Sequence, residues 1–148
     1  MRLRLLNILF GLILLVCVDA NCQNIPNELI TGKGHIFQYV YRGYVGNDLS
    51  TFQPYDKIKP VFLLINDNPK FDEYCIEMTF GGTGSREKYP IKNTRTMLQN
   101  GDRWIVYETN NMEGKPISFF IDPNFRSAIY VSGNIQAIFT NTPKSEWE

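Results

Sequence analysis

The chain has 148 residues, with 15 basic and 15 acidic side chains, one histidine and aromatic residues at 14%. Such a balance sets up no long-range field for nucleic acid or an anionic membrane surface, and no block or stripe of like charge creates one locally. The aromatic content argues against disorder except at the ends, and the length suits one domain with a substantial core.

Residues 1–20 read as a secretory signal peptide. Arg2 and Arg4 open it, Leu5 to Val16 is apolar apart from Asn7 and Gly11, and Val18-Asp19-Ala20 forms a small-x-small ending. The apolar run is shorter than the about 20 residues of a comfortable membrane span, so an uncleaved anchor ranks second. Lipid attachment is the third reading. It wants a small residue directly before the cysteine, whereas Cys17 follows Val16 and Cys22 follows Asn21. The expected localisation is therefore outside the cytoplasm, secreted or periplasmic, with no transmembrane domain in the mature chain.

Cleavage after Ala20 leaves 128 residues, with 13 basic against 14 acidic side chains. It also removes Cys17 and leaves Cys22 and Cys75 as candidates for a disulfide in an oxidising compartment. A bridge over that span contributes about 4 kcal/mol in the chain-entropy model. Two unpaired thiols are the alternative. A reactive thiol is the weaker one, because Glu73 and Glu77 flank Cys75 and disfavour a thiolate.

Residues 21–33 form an N-terminal segment. Asn21 to Thr31 is the best helical stretch of the chain, with Ile25, Leu29 and Ile30, but Pro26 interrupts it. Residues 34–140 read as a single β domain. His35 to Arg42 is a first strand. Lys57 to Ile65 is a second, with Pro60 marking an edge because proline cannot donate to a ladder. Asn66 to Pro69 is a turn cluster. Glu73 to Phe80 ends at Gly81-Gly82-Thr83-Gly84, and Arg86 to Lys92 and Thr94 to Leu98 are shorter strands. Asn100-Gly101 predicts a type I′ hairpin into Arg103 to Thr109, since both positions tolerate positive φ. Pro116 to Ile121, Phe125 to Ser132 and Ile135 to Thr140 follow, separated by turns at Asp122-Pro123-Asn124 and Gly133-Asn134. Residues 141–148 are a polar tail expected to fray.

Links of two to five residues join only antiparallel neighbours. The fold expected is all-β, an antiparallel meander of about eight strands forming a small barrel or a two-sheet sandwich. Several strands are apolar on both faces, which either architecture would use. Strand count and turn lengths resemble lipocalin-like or avidin-like barrels in shape. No signature motif of those families accompanies the resemblance, and shape does not determine function.

No catalytic constellation is legible. His35 is the sole histidine and no Gly-x-Ser-x-Gly elbow frames a nucleophile. No Cys/His cluster suits zinc, and neither a metal nor a cofactor is expected. Asn66, Asp67, Asn68, Asp72 and Glu73 offer oxygens for calcium, but without EF-hand spacing, and turns prefer the same residues. Gly81 to Lys88 lacks the P-loop order and leads into no helix, so it reads as a flexible connection. Glu108 and Asp122 are the carboxylates to test first for glycoside-type hydrolysis.

The alternation His35, Phe37, Tyr39, Tyr41 places three rings on one strand face. Phe37, Tyr39 and Tyr41 are thus the ligand-binding candidates, suited to a small apolar or sugar ligand, with ordinary core packing as the competing use. The leading expectation is a small exported protein with a non-catalytic binding or structural role. An envelope or surface module, meeting a protein partner through the edge Val61 to Ile65, comes second, and a carboxylate-dependent hydrolase third.

Overall fold

A computed structural model describes residues 32–67, 74–99 and 101–147. The architecture is all-β and antiparallel, with ten strands in one curled, barrel-like sheet. In chain order they are β1 (Lys33–Phe37), β2 (Tyr39–Tyr44), β3 (Gln53–Pro54), β4 (Val61–Asn66), β5 (Cys75–Phe80), β6 (Arg86–Gln99), β7 (Asp102–Asn110), β8 (Pro116–Ile121), β9 (Ser127–Ser132) and β10 (Ile135–Thr140). Among the described residues no helix is long and apolar enough to cross a membrane.

From β4 to β10 the strands pair in sequence order as a meander. β1 pairs with β4 and β2 pairs with β10, yet only Gln38 separates β1 from β2. The expected first strand is therefore one bent strand shared by the two ends of the meander, and the circuit of pairings returns on itself there. Asn141, just past β10, serves the bend. Its Oδ1 accepts from the Gln38 N–H at 2.9 Å and its Nδ2 donates to the Ile36 carbonyl at 3.0 Å. Two backbone groups that the interrupted ladder leaves over thus find partners.

β6 makes the second corner. It is a single strand of 14 residues where two short ones were expected. Its first part pairs with β5 and its remainder with β7, with a register irregularity between Ile91 and Asn93. A bulge of this kind bends a strand and raises its twist, which lets one strand turn from one half of the curl into the other. Gln99 pairs with Asp102 across the two-residue link, and Gly101 has φ 83°, as the type I′ reading requires.

Register explains why so many strands are apolar on both faces. The row Val40, Phe139, Ala128, Ile121, Ile105 runs across β2, β10, β9, β8 and β7 and faces the interior. The row Tyr41, Ile138, Ile129, Phe120, Val106 lies one residue over and faces outward. That outer row is nonetheless buried, because Leu49, Phe52 and Trp147 pack on it. Burying a second apolar layer outside the sheet adds hydrophobic stabilisation that a barrel with a wet outer face lacks.

Several expectations are corrected. Strands number ten where about eight were expected: the first strand is split and the short β3 is added, while Arg86 to Lys92 and Thr94 to Leu98 merge into β6. β4 lies between β1 and β5, so Val61 to Ile65 is not an edge. Pro60 stands just before β4, where its carbonyl accepts from the Gly81 N–H at 2.8 Å, and Asp56–Ile58 is a 3-10 turn. Phe125 precedes β9 in a left-handed conformation, φ 53°, within the Asp122 turn. The polar tail is docked: Lys144 Nζ donates to the Phe52 carbonyl at 2.6 Å, and the Trp147 ring meets Tyr41 edge-on at 4.6 Å.

Candidate functional site

The two ends of the curled sheet differ. At the end where β8 leads into β9, Phe125 stacks on His35 with ring centroids 3.3 Å apart. Near it the Tyr107 hydroxyl donates to the fully buried Asp67 carboxylate at 2.6 Å. Further in, Phe37, Phe119 and Phe139 are fully buried and fill the interior.

The opposite end, where β5 leads into β6 and β9 into β10, holds a cavity of about 350 Å³. One wall comes from Met78 and Phe80 of β5 with Glu87 and Tyr89 of β6. The facing wall comes from Tyr130 and Ser132 of β9, Ile135, Ala137 and Phe139 of β10, and Arg42 of β2. Tyr55 and Ile58, from the segment between β3 and β4, cover the side. β5, β6, β9 and β10 each contribute residues two apart, as one face of a pleat must.

The register explains why there is space. Phe119, Tyr130, Ala137 and Arg42 are successive cross-strand neighbours. Between the large Tyr130 and the long Arg42 the chain places Ala137, the smallest of the four side chains. The covering segment is held against the β5–β6 loop by glycine. A Cβ on Gly82 would lie 2.1 Å from the Lys57 carbonyl oxygen, and one on Gly81 2.6 Å from Pro60 Cδ. The glycine run is thus a close-packing device rather than a flexible connection, and it anchors the wall that carries Tyr55 and Ile58.

The polar groups of the cavity are unequal. Tyr89 donates its hydroxyl to Glu87. Burial, then that hydrogen bond, holds the Tyr89 phenol well above the usual tyrosine range, and the neighbouring Tyr130 adds to it. Arg42 lies with its guanidinium 5.5 Å from the centre of the Tyr55 ring. That cation–π contact steers the side chain while leaving its donors in the plane of the fork available.

The structure separates the rings that the sequence put in a row. Phe37 points into the interior, 6.3 Å from Phe139 between centroids, while Tyr39 and Tyr41 lie 6.4 Å apart on the outer face. The bend at Gln38 reverses which face odd-numbered residues take, so alternation cannot be carried across it. None of the three lines the cavity. The Tyr41 hydroxyl instead accepts from the Lys144 backbone at 2.8 Å. The cavity-facing residue of this strand is Arg42, which simple alternation assigns to the face opposite the rings.

The other candidates are dispersed. Cys75 is buried in β5, beside inward-facing Ile76, and Cys22 lies outside the described residues. Of the oxygen-rich loop, Asn68, Asp72 and Glu73 lie outside the described residues. Glu108 is held by Arg95 at 3.1 Å and Asn93 at 3.1 Å, and Asp122 by Arg126 and the Asn124 N–H. Glu108 pairs with Ser118 of β8, four residues before Asp122, or about 13 Å along the strand. The two acids therefore do not share a cleft.

Fold and cavity together define a small barrel-like β protein with an apolar, aromatic hollow at the end where β5 leads into β6 and β9 into β10. No family model matches the chain, and no curated protein or solved structure matches it either.

Proposed function

We propose that the protein is an exported, non-catalytic binding protein that takes a small ligand with an apolar body into the hollow between β5–β6 and β9–β10. The observation that carries this reading is the cavity of about 350 Å³ whose walls include Phe80, Tyr89, Tyr130 and Phe139. Its size falls at the lower end of ordinary small-molecule sites, about 300–1,000 Å³, and its lining of rings with a few polar groups is the usual composition of such sites. Export is carried by the reading of residues 1–20 as a signal peptide.

The reading is tested by titrating the purified mature protein with N-phenyl-1-naphthylamine, a neutral apolar fluorophore that brightens when desolvated. One saturable site is expected. Ala137→Leu narrows the hollow from its wall and Ser132→Trp from its rim, and both are expected to weaken binding at least several-fold. Absence of saturable binding to the parent protein overturns the reading. So does binding left unchanged in both variants once circular dichroism shows them folded.

A further inference from the structure

Resting on that reading, we infer that the ligand carries a carboxylate or similar planar anion, and that Arg42 is the residue that receives it. Three observations converge. Arg42 follows Val40 on the inward face of β2, which brings its guanidinium to the cavity wall beside Ala137. Tyr55 holds the guanidinium at 5.5 Å from its ring centre, on the segment that covers the hollow. Among the described residues no hydrogen bond or ion pair engages the Arg42 side chain.

The other charged wall residue differs. The Glu87 carboxylate already accepts the Tyr89 hydroxyl. Two cations at the start of β6 are committed to an acid: Arg86 and Lys88 both flank the buried Glu77, Lys88 at 3.8 Å. Arg42 is thus the cavity cation left with open donors, pre-oriented by a ring and bordered by apolar surface. A guanidinium in that state matches a carboxylate through two parallel N–H donors, and partial exclusion of water by the ligand's own apolar body strengthens the pair. The aromatic walls suit a flat or ring-bearing body, and a small aromatic carboxylate satisfies both halves of the site.

The experiment displaces the neutral fluorophore with three isosteric probes: 1-naphthoate, 1-naphthamide and 1-naphthylmethylammonium. Naphthoate is expected to bind at least tenfold more tightly than the amide, and the ammonium most weakly. Arg42→Gln is expected to cost naphthoate about tenfold in affinity and the amide, whose neutral carbonyl accepts more weakly, about twofold. Arg42→Lys keeps the charge without the fork and is expected to fall between. Arg42 is exposed on its solvent side, so these variants are expected to fold, which circular dichroism verifies. Equal binding of the three probes, tightest binding of the ammonium, or an Arg42→Gln variant that retains naphthoate affinity overturns the inference while the hollow remains a binding site. Failure of all three probes and of the neutral fluorophore removes both.

Discussion

Tyr89 shows how a single side chain joins packing to the site. It pairs with Ile76 across β5 and β6, its ring meets Phe119 and Tyr130 edge-on at 5.2 and 6.3 Å, and its hydroxyl engages Glu87. Burial and that hydrogen bond favour the neutral phenol in the folded state. The unfolded chain ionises near the ordinary tyrosine value of about 10, so the stabilisation is complete below that pH and is lost as pH rises above it. Urea unfolding from pH 8 to pH 11 is expected to show parent stability falling more steeply above about pH 10 than that of Tyr89→Phe, which has no phenol to titrate. The other tyrosines and the lysines act in both proteins, so the difference isolates Tyr89. Equal slopes would remove this account. Nothing in the sequence marks Tyr89 out, because Arg86 to Lys92 reads only as a short strand and its inward face depends on the partner strands.

Among the elements, the joints carry most of the information. The bend at Gln38, the bulge after Ile91 and the docked tail decide which strands meet and which faces are covered. The strands Pro116–Ile121 and Ile135–Thr140 are legible in the sequence to the residue, and the ends of β6 and β7 at their hairpin to within one residue, since proline, glycine and asparagine bound them locally. The tail is not. Its polar composition suggests solvent, but Trp147 packs on Tyr41 and its indole N–H donates to the Thr142 carbonyl at 3.2 Å. Trp147→Ala is expected to destabilise the protein by about 2 kcal/mol, since the ring is only partly buried. In a domain of this size that lowers the thermal midpoint by about 4–8 °C. Differential scanning calorimetry reads the shift, and an unaltered midpoint would mean that the tail rests on the sheet without supporting it.

For the whole molecule, the near-neutral charge sets up no long-range field, so a ligand entering the hollow would meet shape and short-range contacts only. Its compartment is a separate question, and mass spectrometry of the protein recovered from the producing cells tests the export reading. The expected product begins at Asn21 and is lighter by two hydrogens, from a bond between Cys22 and Cys75. A product that retains residues 1–20 argues for an anchor, and one that begins at Cys22 with added acyl mass argues for a lipoprotein. A product of the expected length without the loss of hydrogens leaves export standing and removes the disulfide.

The sequence by itself determined the β class, most strand positions, the tight turns and the near-neutral net charge. These follow from rules that act over a few residues: alternation, proline and glycine geometry, and net charge. Only the tertiary structure decided which face of each strand is inward. A one-residue change of phase exchanges the two faces, and the bend at Gln38 makes that change without altering the alternation on either side. For that reason Phe37 packs in the interior while Tyr39 and Tyr41 pack on the outer face. The hollow, and Arg42 at its wall, appear only once β2, β5, β6, β9 and β10 stand around the same space.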